Sequence, residues 1–117
     1  MATKVLLVDD DAHILDTAKD ILEAAEFEVF TAETGQAALT LLGGTSCDIM
    51  IVDFNLADMT GLEVARRAKA IRPPIPIVLM TGEANVELGE MQAKIHSVLT
   101  KPVNPPQLIE HIRKIVS

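Results

Sequence analysis

Four acids, one hydroxyl and one amine stand in this chain where they could act together. Asp9, Asp10 and Asp11 directly follow the apolar run 5–8, Asp53 follows the run 49–52, Thr81 follows 75–80, and Lys101 follows 95–99 just ahead of Pro102. Carboxylates crowded this closely repel unless a cation intervenes, and hard oxygen donors suit Mg²⁺, or Mn²⁺ in its place, better than zinc or copper. Mg²⁺ seldom sits in an all-protein cage; it keeps waters and recruits phosphate oxygens. A carboxylate nucleophile, a divalent cation, an ammonium and a hydroxyl are the parts needed to hold a transferring phosphoryl group and neutralise its oxygens. The implied chemistry is phosphoryl transfer onto Asp53. Singly, each residue has a plainer reading: an Asp after a strand often caps a helix, as Asp11 is expected to do, Thr81 suits a turn, and Lys101 suits an exposed surface. The functional reading therefore depends on a fold that brings four run ends to one place.

The hydrophobic pattern supplies one. Apolar runs at 5–8, 29–32, 49–52, 75–80 and 95–99 alternate with stretches whose apolar residues lie three and four apart: Ile14 to Ala25, Ala37 to Leu42, Leu62 to Ala68 and Leu108 to Val116. Thr60-Gly-Leu-Glu63 reads as a capping box. Asn104-Pro-Pro-Gln107 opens the last helix in the same way, with Pro105 at the first helical position. Gly43-Gly44 ends the second helix. Between Met80 and Ile95 the pattern thins to Val86, Leu88 and Met91, and Gly89 mid-helix costs about 1 kcal/mol relative to Ala. A short, mobile fourth helix is expected there. Five strands alternating with five helices imply right-handed crossovers and a parallel sheet covered on both faces. Runs one, three and four are almost wholly apolar, as central strands are, whereas 28–31 and 95–98 mix polar with apolar residues, as edges do. The expected fold is a flavodoxin-like (βα)₅ three-layer sandwich with strand order 2-1-3-4-5. That order sets strands one and three side by side at the switch point where ligands bind.

Composition narrows the function classes. A length of 117 residues fits one domain, residues 1–117, which buries roughly two-thirds of its unfolded surface. With 49% hydrophobic residues the chain has a core to bury and is not disordered. Cys47 is the sole cysteine, so no internal disulfide forms, and a reducing cytoplasmic setting is expected. The run 5–8 is too short for a signal peptide or a membrane span. A net charge of -7 with no Trp or Tyr disfavours direct nucleic-acid binding. Four of the 17 acids are Asp9, Asp10, Asp11 and Asp53, so much of the acidic surplus belongs to the site rather than to the surface.

At these residues the whole chain resembles the receiver domain of two-component response regulators. The matching pieces are Leu7-Val8-Asp9-Asp10-Asp11, Ile51-Val52-Asp53, Met59-Thr60-Gly61-Leu62-Glu63, Met80-Thr81-Gly82 and Lys101-Pro102. The resemblance implies that Asp53 accepts a phosphoryl group from a histidine-phosphorylated donor, either a sensor histidine kinase or a histidine phosphotransfer protein. It implies that Asp10, Asp53 and the backbone carbonyl of Asn55 bind the cation, with Asp9 acting through a metal-bound water. Lys101 would pair with the carboxylate and then the phosphate, and Thr81 would donate to the phosphorylated form. Asn55 and Glu83 would tune access of the hydrolytic water. A downstream effector domain or protein and a monomer or phosphorylation-dependent dimer are implied as well. Two departures stand out. Where the family usually has a switching aromatic, three residues before the Lys, this chain has Val98. Lys94-Ile95 replaces the Gly-Ala that often precedes that aromatic, so the output face of the fourth helix, fifth strand and last helix is expected to be unusual.

Other readings compete. Phosphatases of the haloacid dehalogenase type also use a strand-end Asp with Mg²⁺, but their second Asp is here Asn55, which lacks the general acid. A degenerate receiver that binds partners without phosphorylation is disfavoured because no acid, hydroxyl or cation position is missing. His13 is expected to be a solvated helix residue, and His96 and His111 are expected to stand apart from it and from each other. Arg66, Arg67, Lys69 and Arg72 read as a solvated basic patch, and Met50, Met59, Met80 and Met91 as packing.

Overall fold

A computed structural model describes residues 2–83 and 85–116. Five parallel strands, β1 (Lys4–Val8), β2 (Glu28–Ala32), β3 (Ile49–Asp53), β4 (Ile77–Thr81) and β5 (Ser97–Thr100), form one sheet in the order β2-β1-β3-β4-β5. Among the described residues three α-helices connect strands, α1 (Ala12–Ala24), α2 (Gly35–Gly44) and α3 (Gly61–Ile71), and α4 (Pro105–Val116) follows β5. The flavodoxin-like order expected from the run compositions is present, and the physical reason is visible in the burial. Every residue of β3 and β4 is buried, because helices cover both faces of the central strands.

Strand alternation divides the core in two. Val5, Leu7, Ile49, Ile51, Val78 and Met80 face α1 and α4, meeting Leu15, Leu22, Leu108 and Ile112. Leu6, Val8, Met50, Val52, Ile77 and Leu79 face α2 and α3, meeting Leu39, Leu42, Val64 and Ala68. The same parity governs the strand ends, where the chemistry lies.

The caps agree in part with the sequence. Asp11 caps α1, its Oδ1 accepting from the amides of His13 (3.0 Å) and Ile14 (3.2 Å). Thr60 caps α3 by accepting from Glu63 N at 3.2 Å. The return half of that capping box does not form: the Glu63 carboxylate turns to Arg66 and Arg67, which hold its pKa down to about 2. Two guanidinium groups on the same helix face outcompete one backbone amide. Asn104 Oδ1 accepts from Gln107 N at 3.3 Å, and Pro105 opens α4.

Between β4 and β5 the expected fourth helix is not an α-helix. The described residues there contain a single 3₁₀ turn, Gly89–Met91, with Gly89 at φ 55. Gly89 disfavours helix, and three large apolar residues are too few to bury a longer one. Met91 and Ile95 are nevertheless buried against the α2–α3 core, so the segment is pinned by packing rather than by helical hydrogen bonds. The expected edge pattern holds, with β5 only half-buried.

The basic patch is less free than expected. Lys69 Nζ donates to the carbonyls of Pro73 (3.2 Å) and Ile75 (2.5 Å), and Arg72 reaches the carbonyls of Leu42 and Thr45, both at 3.4 Å. His111 places Nε2 2.6 Å from Ser97 Oγ on β5, and burial, with the charge of His96 next, lowers its pKa.

Helix α1 ends in a left-handed cap. Glu26 has φ 74, its amide donates to Glu23 O (2.9 Å), and Phe27 N donates to Leu22 O (3.1 Å), the pairing of a Schellman motif. A non-glycine residue in this conformation costs about 1–2 kcal/mol, and glycine's extra freedom in the unfolded chain returns about half of that. Glu26→Gly is therefore expected to stabilise the fold by about 0.5–1 kcal/mol. In urea followed by far-UV circular dichroism, the midpoint should rise at unchanged slope.

Candidate functional site

The carboxyl ends of β1, β3, β4 and β5 meet in one crevice. Alternation puts Asp9, which follows Leu7 by two, on the same face as Asp53, which follows Ile51 by two, and Lys101, which follows Leu99 by two. Lys101 Nζ accordingly lies 2.9 Å from Asp53 Oδ2 and 3.6 Å from Asp9 Oδ2. The main chain fixes these ends: Asp9 N donates to Ala32 O (3.1 Å), Phe54 N to Met80 O (2.8 Å) and Lys101 N to Thr81 O (2.7 Å). The Lys101-Pro102 peptide bond is cis.

Asp9 is 2% and Asp53 5% exposed, whereas Asp10 is exposed at the rim. One carboxylate oxygen from each of Asp9, Asp10 and Asp53 can be chosen so that all lie within 4.8 Å of one another. Burial pushes the Asp9 carboxyl above its ordinary pKa, and the Asp11 amide and the Lys101 charge offset this only in part. For Lys101, burial alone would lower the pKa, but the hydrogen bond to Asp53 and the charge of Asp9 outweigh it and hold the ammonium above its usual value.

The residues fit a hard divalent cation. Asp9 Oδ1 accepts from Asp11 N at 3.0 Å, but its buried Oδ2 has no hydrogen-bond partner among the described residues, an unusual state for a buried oxygen. All the donors in the trio are carboxylate oxygens, and the exposed Asp10 side leaves room for waters and a ligand oxygen.

The remaining predicted residues surround this centre at different distances. Thr81 ends β4 almost fully buried, and its Oγ1 accepts from Glu83 N at 3.1 Å, which leaves the hydroxyl hydrogen free to donate. By parity Thr81 leaves the sheet on the α2–α3 side, opposite Asp53. Val98 pairs with Leu79 and so shares the Thr81 face; it is 37% exposed because no described α-helix covers this part of β5. Asn55 is exposed, with its amide 3.4 Å from Asp53 Oδ1, and Glu83 is exposed beyond Gly82. His13 is exposed on the first turn of α1, as expected. An apolar cavity of about 460 Å³ adjoins the crevice, lined by Ile14, Leu15, Met80, Pro102 and Leu108 and reaching Asp9 and Lys101.

Two further residues, Asp58 and Gly61, shape the backbone near the site. Asp58, in the loop after β3, accepts from the first two amides of α2. Its partner is set by tertiary approach, so no local pattern announces it. Gly61 lies against the backbone of Asp53, and a Cβ there would fall 2.4 Å from Asp53 O. The glycine after a cap residue was the only signal.

Comparison with known proteins agrees with this geometry. A model of the response regulator receiver domain matches residues 5–113. The cell cycle response regulator CtrA of Brucella ovis is 31% identical over 115 residues, covering 97% of this chain and 50% of that protein, and CtrA of Brucella abortus gives the same figures. The chain thus spans about half the length of the curated relatives it matches. Among solved structures, a CheY-like receiver domain from Methanospirillum hungatei superposes with a TM-score of 0.93 at 33% identity, covering 99% of this chain and 94% of that one. The Thermotoga maritima response regulator TrrA, in a structure with Mg²⁺ and BeF, gives a TM-score of 0.87 at 26% identity, covering 97% and 98%. On this match along nearly its full length, the chain belongs to the response regulator receiver domain family of two-component signal transduction.

Proposed function

We propose that this chain is a phosphoacceptor module in a two-component phosphorelay, with Asp53 as the acceptor and residues 1–117 as one receiver unit. The observation that carries the reading is the Lys101 ammonium 2.9 Å from the Asp53 carboxylate, beside the Asp9–Asp10–Asp53 trio at the ligand-binding end of the sheet. The donor is a sensor histidine kinase or a histidine phosphotransfer protein. A carboxylate oxygen of Asp53 forms the bond to phosphorus while the bond from phosphorus to the donor imidazole nitrogen breaks. The imidazole keeps the electron pair and takes up a proton. The apolar cavity beside Lys101 gives the donor's apolar side chains a seat next to the acceptor.

Asp10, Asp53 and the Asn55 backbone carbonyl would hold Mg²⁺ or Mn²⁺, with Asp9 reaching it through water. When bound, that cation supplies positive charge to the phosphoryl oxygens. Lys101 stays paired through the transfer, first with the carboxylate and then with the phosphate. Phosphorylation adds roughly one to two negative charges and three acceptor oxygens. The free hydroxyl hydrogen of Thr81 can donate to them only if Thr81 shifts toward Asp53. Because Val98 lies on the Thr81 face of the neighbouring strand, such a shift is transmitted to the exposed surface of β5. Asn55 and Glu83, exposed on either side, set access of water to the acyl phosphate and therefore its lifetime. The signal is read by an effector domain or protein, with the receiver a monomer or a phosphorylation-dependent dimer. No described helix is long and apolar enough to cross a membrane. The lone, buried Cys47 suits a reducing cytoplasm.

Incubation with acetyl phosphate and Mg²⁺ should add one phosphoryl group by intact-mass measurement, and excess EDTA should prevent it. Absence of an adduct in Mg²⁺ would overturn the reading in favour of a phosphorylation-independent binding module. Rapid turnover of a generic phosphomonoester would favour a phosphatase of the haloacid dehalogenase type.

A further inference from the structure

The loop between β3 and α3, residues 54–60, is held at both ends and again at its tip. At its base Gly61 N donates to Phe54 O at 2.7 Å, and Asn55 and Thr60 face each other in an isolated antiparallel bridge. At its tip both Asp58 oxygens are engaged: Oδ1 accepts from Gly35 N at 2.9 Å and Oδ2 from Gln36 N at 3.0 Å. The Met59 side chain of the loop also lies against the α2 backbone at Gly35. A Cβ at Gly35 would fall 2.7 Å from Met59 Cγ in the loop and from Val64 Cγ2 on α3, so these side chains would have to shift for any larger residue there.

This contact is more than a helix cap. Helix α2 already has its own, since Thr34 Oγ1 accepts from Ala37 N at 3.0 Å. Asp58 takes the two preceding amides, which have no acceptor within the helix. Those amides, Gly35 first, hold the Asp58 carboxyl below its usual pKa, as expected for a carboxylate at the positive end of a helix. The helix is a firm anchor because Ala38, Leu39 and Leu42 are buried in the core. The loop is the element with freedom to lose, and it carries Asn55.

We propose that Asp58 is a positioning residue for the acceptor site: by pinning the loop tip to the first two amides of α2, it fixes the backbone at Asn55 for divalent-cation binding. The inference rests on the reading above, in which the Asn55 carbonyl is a cation ligand.

The test is Mg²⁺ titration by calorimetry on the full chain without a phosphodonor, comparing wild type with Asp58→Ala, Asp58→Asn and Thr34→Ala. The Mg²⁺ dissociation constant should rise roughly threefold to tenfold in Asp58→Ala, at or below the low end of what loss of a ligand's direct support costs. It should rise less in Asp58→Asn, which keeps one acceptor oxygen. The initial rate of phosphorylation from acetyl phosphate should recover at saturating Mg²⁺, so that the defect sits in the half-saturating Mg²⁺ concentration. Thr34→Ala weakens the same helix end without touching the loop; it should lower the melting temperature and leave Mg²⁺ affinity unchanged. Wild-type affinity in a folded Asp58→Ala, or an equal loss in Thr34→Ala, overturns the proposal while the acceptor reading stands. Should Asp58→Ala fail to fold, Asp58→Asn decides by the same measurement. A wild-type chain that binds no Mg²⁺ overturns the cation-site reading itself.

Discussion

Asp53→Asn is expected to abolish phosphoryl uptake. The substitution keeps shape and volume but removes the anionic oxygen that, on the proposed reading, attacks phosphorus, and the neutral amide is no substitute nucleophile. The rate from acetyl phosphate should fall by at least about 10³-fold, because the nucleophile is the one group whose role no neighbour can assume. Asp9 is the nearest alternative acid on the same face, but it is buried, with its pKa raised, and its free oxygen points at Lys101 from 3.6 Å. Misfolding does not explain the expected loss. Only the Lys101 end of its ion pair with the buried Asp53 is solvated, but the isosteric Asn keeps the packing, and removing one of three crowded acids relieves repulsion as it loses that pair. The net change in stability should stay within about 1 kcal/mol. Intact-mass measurement beside a urea titration separates the two effects: an unfolded variant, or an undiminished adduct on a folded one, would contradict this expectation.

Gly61→Ala should be among the most damaging single-methyl additions to the chain. Its Cβ would lie 2.4 Å from Asp53 O, 2.9 Å from Phe54 Cα and 3.0 Å from Asp53 C. All three are backbone atoms, held in turn by the hydrogen bonds from Phe54 N to Met80 O and from Gly61 N to Phe54 O. No side chain can swing aside to make room, so either α3 moves away from the sheet or the acceptor strand bends. A destabilisation of about 3 kcal/mol or more is expected, with a melting temperature lower by on the order of 10 °C. The same substitution at Gly43 meets nothing within 4 Å and lies in a helix, where Ala is preferred. Gly43→Ala should stabilise by about 0.5–1 kcal/mol. Opposite signs at the two glycines, read by thermal denaturation, would tie the effect to contact with the acceptor backbone. A neutral Gly61→Ala would contradict it.

The parts of this fold legible in the sequence are those set by burial and by local capping. The apolar runs 5–8 and 49–52 lie within β1 and β3 because both faces of those strands are covered, and strand alternation then carries Asp9 and Asp53 to one face. Asp11, Thr60 and Asn104 cap the helices that follow them because capping depends on the next few residues only. What was not legible depends on competition or on distance. The pattern predicts that Glu63 closes a capping box, but the carboxylate pairs with Arg66 and Arg67 instead. The run 75–80 begins with Ile-Pro, and β4 starts only at Ile77, with Pro76 contributing its carbonyl to Met50 N instead. The spacing before β5 predicts a short helix, but Met91 and Ile95 bury themselves from a 3₁₀ turn and loop. The contacts of Asp58 with α2 and of His111 with β5 join residues far apart in the chain, and only tertiary packing reveals them.

The role of Asp53 can be read at the level of the bond. An acyl phosphate is reduced by borohydride whereas a free carboxylate is not, so reduction of the phosphorylated chain followed by tandem mass spectrometry marks the acceptor as a changed residue. Homoserine at position 53, and at no other acid, is the expected result. Homoserine at Asp9 or Asp10, or a phosphoryl group retained on His13 with position 53 unchanged, would contradict it.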